Sequence, residues 1–264
     1  MESSEKRFSQ YAQYYDLFYK DKNYISESLF VNQLIEKNIS NDKKNISILD
    51  IGCGTGIHAI ELSSYGYEVD GSDISSDMIN IAKKRASEAG KNINFYNESF
   101  QTAHNIAKKY DVILALFSSI NYVISDQDLS LAFKNINNLL NENGILIFDF
   151  WNGDAVIKDY SPQKNKVVES GEIKIERETL ATIQKSMNLI TVDFNFNLYK
   201  DDKFFEKFSE KHELRYFFLN EMNKILSSNK FEIKDSCPFN NINTKLDKYD
   251  WNVTYVAEKM GKKN

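Results

Sequence analysis

One stretch, Ile46 to Gly56, constrains the fold of this 264-residue chain more than any other. A short run of branched apolar residues, Ile46 to Ile51, predicts a strand that is buried on both faces. Three glycines follow it, Gly52, Gly54 and Gly56, and they allow the backbone to turn tightly, to approach a ligand and to begin a helix. This order of strand and glycines is typical of a nucleotide-type binding loop.

The spacing and charge of the loop bear on its ligand. A dinucleotide fingerprint places its third glycine one position later, where this chain has Ile57. Asp50 would repel a pyrophosphate, so a cation suits the site better. The order of Asp50 and the three glycines resembles the first motif of class I S-adenosylmethionine-dependent methyltransferases. The resemblance implies S-adenosyl-L-methionine as cofactor, S-adenosyl-L-homocysteine as product, and loop contacts from Asp50, Gly52, Cys53 and Gly54.

Composition limits the classes of partner. The formal net charge is −5, and the lysines and acidic residues are interspersed rather than grouped, so we expect neither nucleic acid nor a membrane as a partner. The start of the chain lacks the apolar core of a signal peptide, which favours a cytoplasmic protein. Cys53 and Cys237 have no metal-ligand spacing, so we expect free thiols and no metal. A monomer and a homodimer both stay open.

A second acidic position follows the predicted strand Tyr67 to Ser72. Asp73 lies about 20 residues after the glycine loop, where a nucleotide-binding sheet places the carboxylate that accepts from both ribose hydroxyls. Asp70 is the alternative, but it precedes a glycine inside the strand. Ile74 and Met78 are expected to flank the adenine ring, although apolar residues at a helix start are also common in cores.

Two further strand ends complete the predicted cofactor site. In the methyltransferase family an aspartate near Ser99 commonly receives the adenine amino group, so this chain departs from the pattern. Glu98 is the expected substitute. The resemblance also implies cofactor contacts at the end of the next predicted strand, Tyr110 to Phe117, by Leu116 and Phe117.

The N-terminal residues Phe8 to Tyr24 are rich in tyrosine. One interpretation is a helix with an aromatic packing face, because several of the rings fall at helical spacing. The other is a lid, since the run from Tyr15 to Tyr19 resembles the segment that small-molecule methyltransferases fold over the cofactor. In that reading Tyr15 and Tyr19 contact the cofactor, and the Tyr19 hydroxyl lies near the methyl group or the carboxylate of its methionine part.

The remaining core elements are predicted from periodicity. Ser125 caps a helix that Gly144 ends, and His58 opens a helix in a capping or packing role rather than a catalytic one. Strict alternation from Ile190 to Leu198 indicates an inserted antiparallel sheet between Lys166 and Arg215. Four more predicted elements are listed here: strand Ile145 to Phe150, helix Leu219 to Ser228, strand Phe231 to Asp235 and strand Trp251 to Ala257.

Acceptor residues are expected at the same sheet edge and on the insertion. The run Phe117 to Ile120 resembles sugar N-methyltransferases, and the residues then predicted to bind the acceptor are Tyr122, Asp149, Trp151, Asn152 and Arg215. His212, Tyr19 and Tyr122 are the predicted catalytic residues. An imidazole, with an ordinary pKa of about 6.5, is suited to take a proton from an amine or hydroxyl, and Glu210 lies on the same strand face. Arg215 lies on the other face, so a structural ion pair is the alternative for it.

These observations predict a doubly wound α/β domain on a seven-stranded Rossmann-like methyltransferase sheet, mostly parallel with one antiparallel edge strand. The predicted units are residues 1–40 (aromatic N-terminal lid and helix), 41–157 (cofactor core), 158–218 (inserted antiparallel β-sheet) and 219–264 (completion of the sheet).

The expected function is methyl transfer to a small-molecule acceptor. The resemblance favours a sugar, a nucleotide-linked sugar or another cell-surface glycan precursor, as in capsule polysaccharide biosynthesis. O-methylation of an anionic group, a catalytically silent cofactor-binding partner protein and an oxidoreductase are the alternatives.

Overall fold

The computed structural model describes residues 14–15, 17–20 and 22–261. Its strands are β1 (Ser47–Ile51), β2 (Glu68–Ser72), β3 (Asn94–Tyr96), β4 (Tyr110–Ala115), β5 (Leu140–Trp151), β6 (Gln163–Ser170), β7 (Ile173–Gln184), β8 (Leu189–Lys200), β9 (Lys203–Arg215), β10 (Phe231–Pro238) and β11 (Asn252–Lys259). Its α-helices are α1 (Tyr24–Asn38), α2 (Ile57–Ser64), α3 (Ser76–Glu88), α4 (Asp126–Leu139), α5 (Gly153–Asp159) and α6 (Leu219–Ser228). Tyr14, Tyr15, Leu17 and Phe18 are also helical.

Seven strands form the central sheet in the order β3, β2, β1, β4, β5, β11, β10. The first five pair in parallel, and β11 runs antiparallel to both of its neighbours. The predicted α/β fold class is therefore confirmed. The predicted position of the antiparallel strand is wrong, because β11 lies between β5 and β10 and the edge strand is β10. β11 pairs antiparallel with β5 on one side and with β10, its predecessor in the chain, on the other, which leaves β10 at the edge.

Alternate residues of the central strands pack on opposite faces of this sheet. On one face Ile48 and its equivalents contact helices α1, α2 and α3. On the other face Leu49 and its equivalents contact α4 and α6. Helices on both faces make the sheet doubly wound, as predicted. Within the described residues, no helix is both long enough and apolar enough to cross a bilayer.

Two predicted boundaries are wrong. Helix α4 begins after its Ser125 cap as predicted, but it ends at Leu139, and Gly144 lies inside β5. A side chain on Gly144 would come within about 3.0 to 3.1 Å of the Asn141 and Asp111 carbonyl oxygens, so tight contacts inside the sheet, not a helix end, favour glycine here. Strand β4 ends at Ala115, and Phe117 turns out of it with a φ of 57°.

The second sheet confirms the predicted insertion. Strands β6 to β9 form a sheet that is separate from the central sheet. They pair in sequence order, and every pair is antiparallel. The β8–β9 turn is formed by Asp201 and Asp202, both with positive φ. Just beyond it β9 carries a bulge at Phe205, since Phe204 pairs with Tyr199 but Glu206 pairs with Leu198. The domain boundaries assigned from the sequence stay a prediction.

The N-terminal segment packs on this inserted sheet. Phe18 is fully buried against Phe196, with ring centroids 5.3 Å apart. Lys166 donates a hydrogen bond to the Phe18 carbonyl oxygen at 2.6 Å, and Lys20 donates to the carbonyl oxygen of Glu169 at 2.6 Å. Residues 1–13, 16 and 21, on which part of the predicted aromatic helix falls, lie outside the described residues.

Candidate active site

A cavity of about 710 Å³ lies at the carboxyl ends of β1, β2 and β4, where open parallel sheets bind ligands. The core forms one side of it, and the inserted sheet with the N-terminal segment forms the other. Most residues predicted for the site line this cavity, and they are Tyr15, Tyr19, Asp50, Gly52, Cys53, Gly54, Asp73, Ile74, Met78, Glu98, Ser99, Leu116, Phe117, Tyr122, Trp151 and His212.

The glycine loop follows β1 along the cavity floor. Gly52 has a φ of +76°, and a side chain there would come within 2.8 Å of the Ser119 side chain. Gly56 is the N-cap of α2, with a φ of +78° and no room beside Ala82. Both positions therefore require glycine for backbone angle and for space.

Asp73 is held by the same loop. The Gly54 amide donates to one carboxylate oxygen at 2.9 Å, and the Ser75 amide donates to the other at 2.8 Å. Each carboxylate oxygen has two lone pairs, so both can still accept from a ligand hydroxyl. Asp70, the alternative, lies off the cavity and accepts from Lys108 at 2.7 Å and Tyr110 at 2.9 Å.

Asp50 supplies a carboxylate at the tip of β1. It is 1 % exposed, and its Oδ2 atom has no hydrogen-bond partner within the described part of the chain. Burial, with the nearby Asp73 carboxylate, raises the pKa of Asp50 to about 7. An unsatisfied buried carboxylate on a cavity wall fits a ligand that carries positive charge. The loop, Asp50 and Asp73 thus fit S-adenosylmethionine, which has cationic groups and a ribose but no phosphate.

Two polar residues line the end of the cavity after β3. The Glu98 carboxylate accepts from the Asn105 side chain at 3.1 Å, and Ser99 forms a local hydrogen bond with Thr102. Both residues lie where the sequence predicts the adenine ring. Their contact with the adenine amino group stays a prediction.

Across the cavity, Tyr122 and His212 form the polar part of the acceptor wall. The Tyr122 hydroxyl lies 3.0 Å from Nδ1 of His212, and Nε2 of the same ring lies 3.3 Å from Glu210. His212 is 1 % exposed and its ring contacts Phe194 edge-on. If Nε2 carries the ring proton toward Glu210, Nδ1 accepts from Tyr122. Tyr122 and His212 both line the cavity, so this hydrogen-bonded pair lies on its wall.

Three residues predicted to bind the acceptor lie off the cavity wall. The Arg215 guanidinium pairs with Asp126 and Glu221, both at 2.6 Å, which favours the structural ion pair over acceptor binding. The register of β9 is regular from Glu210 to Arg215, so Arg215 faces away from His212. Asn152 caps α5 and donates to the Lys248 carbonyl oxygen at 2.7 Å.

Asp149, the third of these residues, holds the loop after β4. Its Oδ2 atom accepts from the amide and from the hydroxyl of Ser118, both at 2.8 Å. Phe117 and Ser118 are consecutive non-glycine residues with φ of 57° and 56°, a backbone conformation that costs free energy. Burial raises the pKa of Asp149 to about 6 against these hydrogen bonds. Asp149 thus supports the position of Phe117 on the cavity wall without contacting the cavity.

The N-terminal segment closes one side of the cavity. The ring centroids of Tyr15 and Tyr19 are 4.6 Å apart, and Tyr19 contacts Phe117 edge-on at 5.2 Å. This placement favours the lid interpretation of the tyrosines.

A buried charged chain next to this segment is missing from the sequence predictions. Lys22 contacts Glu27 at 3.0 Å, and Glu27 contacts Nε2 of His58 at 2.8 Å. Lys22 and His58 both line the cavity. The packing role predicted for His58 agrees with this contact, but nothing in the local sequence indicates that its partner comes from α1. Other cavity-lining residues that were not predicted for the site include Tyr24, Tyr160, Phe194 and Trp251.

Comparison with known proteins identifies the domain to which the core sheet is similar. Residues 48–144 match the family model described as a methyltransferase domain. This segment runs from β1 into β5 and includes the glycine loop, Asp73 and Tyr122. Residues 48–144 therefore carry a methyltransferase domain, and the glycine loop, Asp50 and Asp73 within it fit S-adenosylmethionine as the cofactor.

Two curated relatives and one solved structure illustrate the similarity. A Geobacillus sp. (strain WCH70) protein named as a methyltransferase is 29% identical over 142 residues, which are 54% of this chain and 56% of that protein. The chain thus spans little more than half the length of this relative. The dTDP-3-amino-3,4,6-trideoxy-alpha-D-glucopyranose N,N-dimethyltransferase of Streptomyces venezuelae is 23% identical over 78% of this chain and 84% of its own length. An S-adenosylmethionine-dependent methyltransferase from Clostridium acetobutylicum ATCC 824 has the same fold, with a TM-score of 0.78, 24% identity and coverage of 96% of this chain and 99% of its own.

Proposed function

We propose that this methyltransferase transfers a methyl group to an amine of a small molecule, and that the acceptor is a sugar or nucleotide-linked sugar used as a cytoplasmic precursor of a cell-surface glycan, as in capsule polysaccharide biosynthesis. The single observation that carries the proposal is the Tyr122, His212 and Glu210 chain on the wall of the cofactor cavity. Its support from relatives is the Streptomyces venezuelae N,N-dimethyltransferase, whose name states an amino sugar substrate.

The chemistry requires positioning and removal of a proton. S-adenosylmethionine, when bound, supplies a methyl group on a positively charged sulfur, so the acceptor needs only an available lone pair. Asp50, Asp73 and the glycine loop hold the donor end of the cavity, and the inserted sheet holds the acceptor end. Holding two reactants in register in this way can contribute roughly 7 to 11 kcal/mol to lowering a barrier.

The proton released by the acceptor passes to the protein at Tyr122. Its hydroxyl oxygen accepts the proton from the acceptor nitrogen while its own proton moves to Nδ1 of His212, 3.0 Å away. The imidazole then becomes an imidazolium whose Nε2–H faces the Glu210 carboxylate. The Glu210 carboxylate thus lies where it compensates the charge that forms at His212 inside a buried site.

The acceptor wall is otherwise largely apolar and aromatic. Besides Tyr122 and His212 it contains Trp151, Tyr160 and Phe194. Aromatic faces suit the C–H faces of a sugar ring, and the surrounding apolar residues exclude water from the transfer.

O-methylation of an anionic group is less well supported. That reaction needs a cation for the acceptor and no base. Arg215, the expected cation, is committed to Asp126 and Glu221, whereas a proton-accepting chain does line the cavity. These contacts favour an amine acceptor.

The test is turnover of a matched pair of acceptors. The full chain is incubated with isotopically labelled S-adenosylmethionine and either dTDP-3-amino-3,6-dideoxyglucose or the same compound with a 3-hydroxyl group. We expect S-adenosylhomocysteine and a methylated product from the amino compound only. Turnover of the hydroxyl compound alone, or of carboxylic and phosphate acceptors in place of a panel of amines, would contradict the proposal. Cofactor binding without turnover of any acceptor would instead favour a catalytically silent partner protein.

A further inference from the structure

Three buried oxygen atoms without a hydrogen-bond partner occur together where β5 and β11 reach the cavity. They are Oδ1 of Asp149, Oγ1 of Thr254 and Oδ1 of Asn252, and none has a partner within the described part of the chain. Asp149 and Thr254 are each 1 % exposed. Polar atoms that are buried in this way are nearly always hydrogen-bonded, to protein or to ordered water. The three oxygens therefore indicate a bound group.

The register of the two strands places the three side chains on one face of the central sheet. Thr254 lies opposite Asp149, and Asn252 lies opposite Trp151. Side chains of opposite residues start about 4.5 to 5.5 Å apart, and side chains two positions apart on a strand share a face at about 7 Å. Asn252 and Trp151 line the cavity, and the other pair lies next to them in the sheet. The oxygens thus form a short row from the cavity to the Asp149 carboxylate.

The chemistry of this row suits water. The oxygens of Asp149 and Asn252 only accept hydrogen bonds, and the Thr254 hydroxyl has one proton to donate, so the three atoms cannot satisfy one another. A buried water supplies two donors and typically makes about three hydrogen bonds. A metal cation would instead meet the ammonium of Lys22, which acts electrostatically on Asp149. The cavity beside Asn252 gives water a route to the row.

The Asp149 carboxylate joins the row to a strained turn. Its other oxygen, Oδ2, accepts from the amide and the hydroxyl of Ser118, both at 2.8 Å. Phe117 and Ser118 have φ of 57° and 56°, so the turn depends on such bonds. Burial raises the pKa of Asp149 to about 6, and a neutral carboxyl accepts more weakly than a charged one. A donor at Oδ1 favours the charged form and so strengthens the hold on the turn.

We propose that ordered water binds this row of oxygens, and that Thr254 acts through the water as a positioning residue for the turn that carries Phe117. The ring of Phe117 lines the cavity and contacts Tyr19 edge-on at 5.2 Å. The position of the turn therefore affects the donor half of the cavity. The inference rests on the cofactor site and involves no acceptor.

The experiment compares thermal unfolding of the full chain with that of Thr254→Val, which keeps the side-chain shape and removes the hydroxyl. Removal of an unpaired buried hydroxyl would leave the unfolding midpoint unchanged or raise it. Removal of a water-bound hydroxyl should lower the midpoint by about 2 to 4 °C at about pH 8, where Asp149 is charged. At about pH 5 the carboxyl is protonated in both folded proteins, so no more than about half of this shift should remain.

Other titratable groups near the row are the same in the parent and the variant. Lys22 faces both Asp149 and Asp50, so the titration of Asp50 near pH 7 contributes equally to the two proteins. Cys237 lies opposite Thr254 on β10, and burial raises its pKa to about 11, above the range of the measurement. The difference between the two proteins therefore reports on Asp149.

Two variants and a binding measurement complete the test. Thr254→Ser keeps the hydroxyl and should show the parental pH dependence. Thr191→Val, at a buried threonine of the inserted sheet, should shift the midpoint equally at both pH values. Calorimetry with S-adenosylhomocysteine at about pH 8 measures the positioning role. Thr254→Val should bind about three- to fivefold more weakly, part of the effect of one hydrogen bond, and Thr254→Ser should bind like the parent.

Three results would overturn the proposal. An unchanged or higher midpoint of Thr254→Val at about pH 8 would show that the hydroxyl has no bound partner. An equal loss at both pH values would assign its effect to packing rather than to Asp149. Parental affinity for S-adenosylhomocysteine in Thr254→Val would remove the positioning role. A failed amine assay would leave all these measurements as they are, because no acceptor is present.

Discussion

The donor and acceptor halves of the cavity are built from different kinds of structure. The donor half uses consecutive residues at strand ends, with main-chain amides of Gly54 and Ser75 fixing the Asp73 carboxylate. The acceptor half uses side chains that meet from separate elements, such as Tyr122 before α4 and His212 on β9. The difference teaches that cofactor binding and acceptor chemistry are separable in this molecule. Substitutions should therefore divide into those that change cofactor affinity and those that change turnover.

The largest expected effect lies in the acceptor half. His212→Asn removes the group that takes the proton from Tyr122, so turnover of an amine acceptor should fall by about 100-fold or more. The affinity for S-adenosylmethionine should stay within about twofold of the parent. Steady-state turnover and calorimetry measure the two quantities. His104→Asn, at an exposed histidine, is the matched control, and parental turnover in His212→Asn would remove His212 from the mechanism.

The matching effect in the donor half concerns Asp73. Asp73→Ala takes the charged acceptor away from the ribose hydroxyls, which should weaken cofactor binding by about 1.5 to 3 kcal/mol. Titration calorimetry with S-adenosylhomocysteine measures the loss. Asp77→Ala, at an exposed carboxylate in the first turn of α3, should bind like the parent. Undiminished affinity in Asp73→Ala would assign the ribose to another residue.

Cofactor affinity should also depend on pH through Asp50. Its pKa is raised to about 7 by burial and by Asp73, so the carboxylate is mostly neutral below this pH and mostly charged above it. Because the charged form is the one that attracts the ligand cation, affinity should rise by about tenfold from about pH 5.5 to about pH 7. Asp50→Asn should bind more weakly at neutral pH and lose this dependence. The same slope in Asp50→Asn would show that another group controls it.

The smallest effect on function is expected at Arg215. Arg215→Met breaks the ion pairs to Asp126 and Glu221, so thermal unfolding should shift by an amount equivalent to about 1 to 3 kcal/mol. Turnover at saturating acceptor should change less than about threefold. Arg215→Lys, which keeps the charge, should recover part of the stability. A large rise in the KM of the acceptor with unchanged stability would instead return Arg215 to the acceptor site.

The two halves also differ in how far the sequence predicts them. The glycine loop, Asp73 and the alternating strands of the insertion follow from local patterns, and each lies where it was expected. The Lys22 to Glu27 to His58 chain does not, because the contact between Glu27 and His58 depends on the packing of α1 on α2. The position of β11 was also missed, since strand order depends on long-range pairing rather than on periodicity.

Residues at strand ends were the least reliable predictions. Asp149, Trp151 and Asn152 follow one another at the end of β5, yet only Trp151 reaches the cavity. Asp149 turns to the Ser118 amide, and Asn152 turns to the start of α5. A polar side chain at a strand end either binds a ligand or satisfies a loop, and the residue type alone does not distinguish these roles.

The bulge at Phe205 gives the acceptor half a dependence on chain length. Beyond the bulge Val192 pairs with His212, and Asp193 pairs with Lys211. If the full strand paired without the bulge, Lys211 would lie opposite Val192 and His212 would turn to the other face of the sheet. Deletion of Phe205 would instead remove the bulge and leave His212 opposite Val192, whereas one residue deleted between Glu206 and His212 with the bulge intact would place Glu213 there. Comparison of acceptor specificity among proteins with this insertion therefore requires counting residues between the turn and the histidine as well as identifying them.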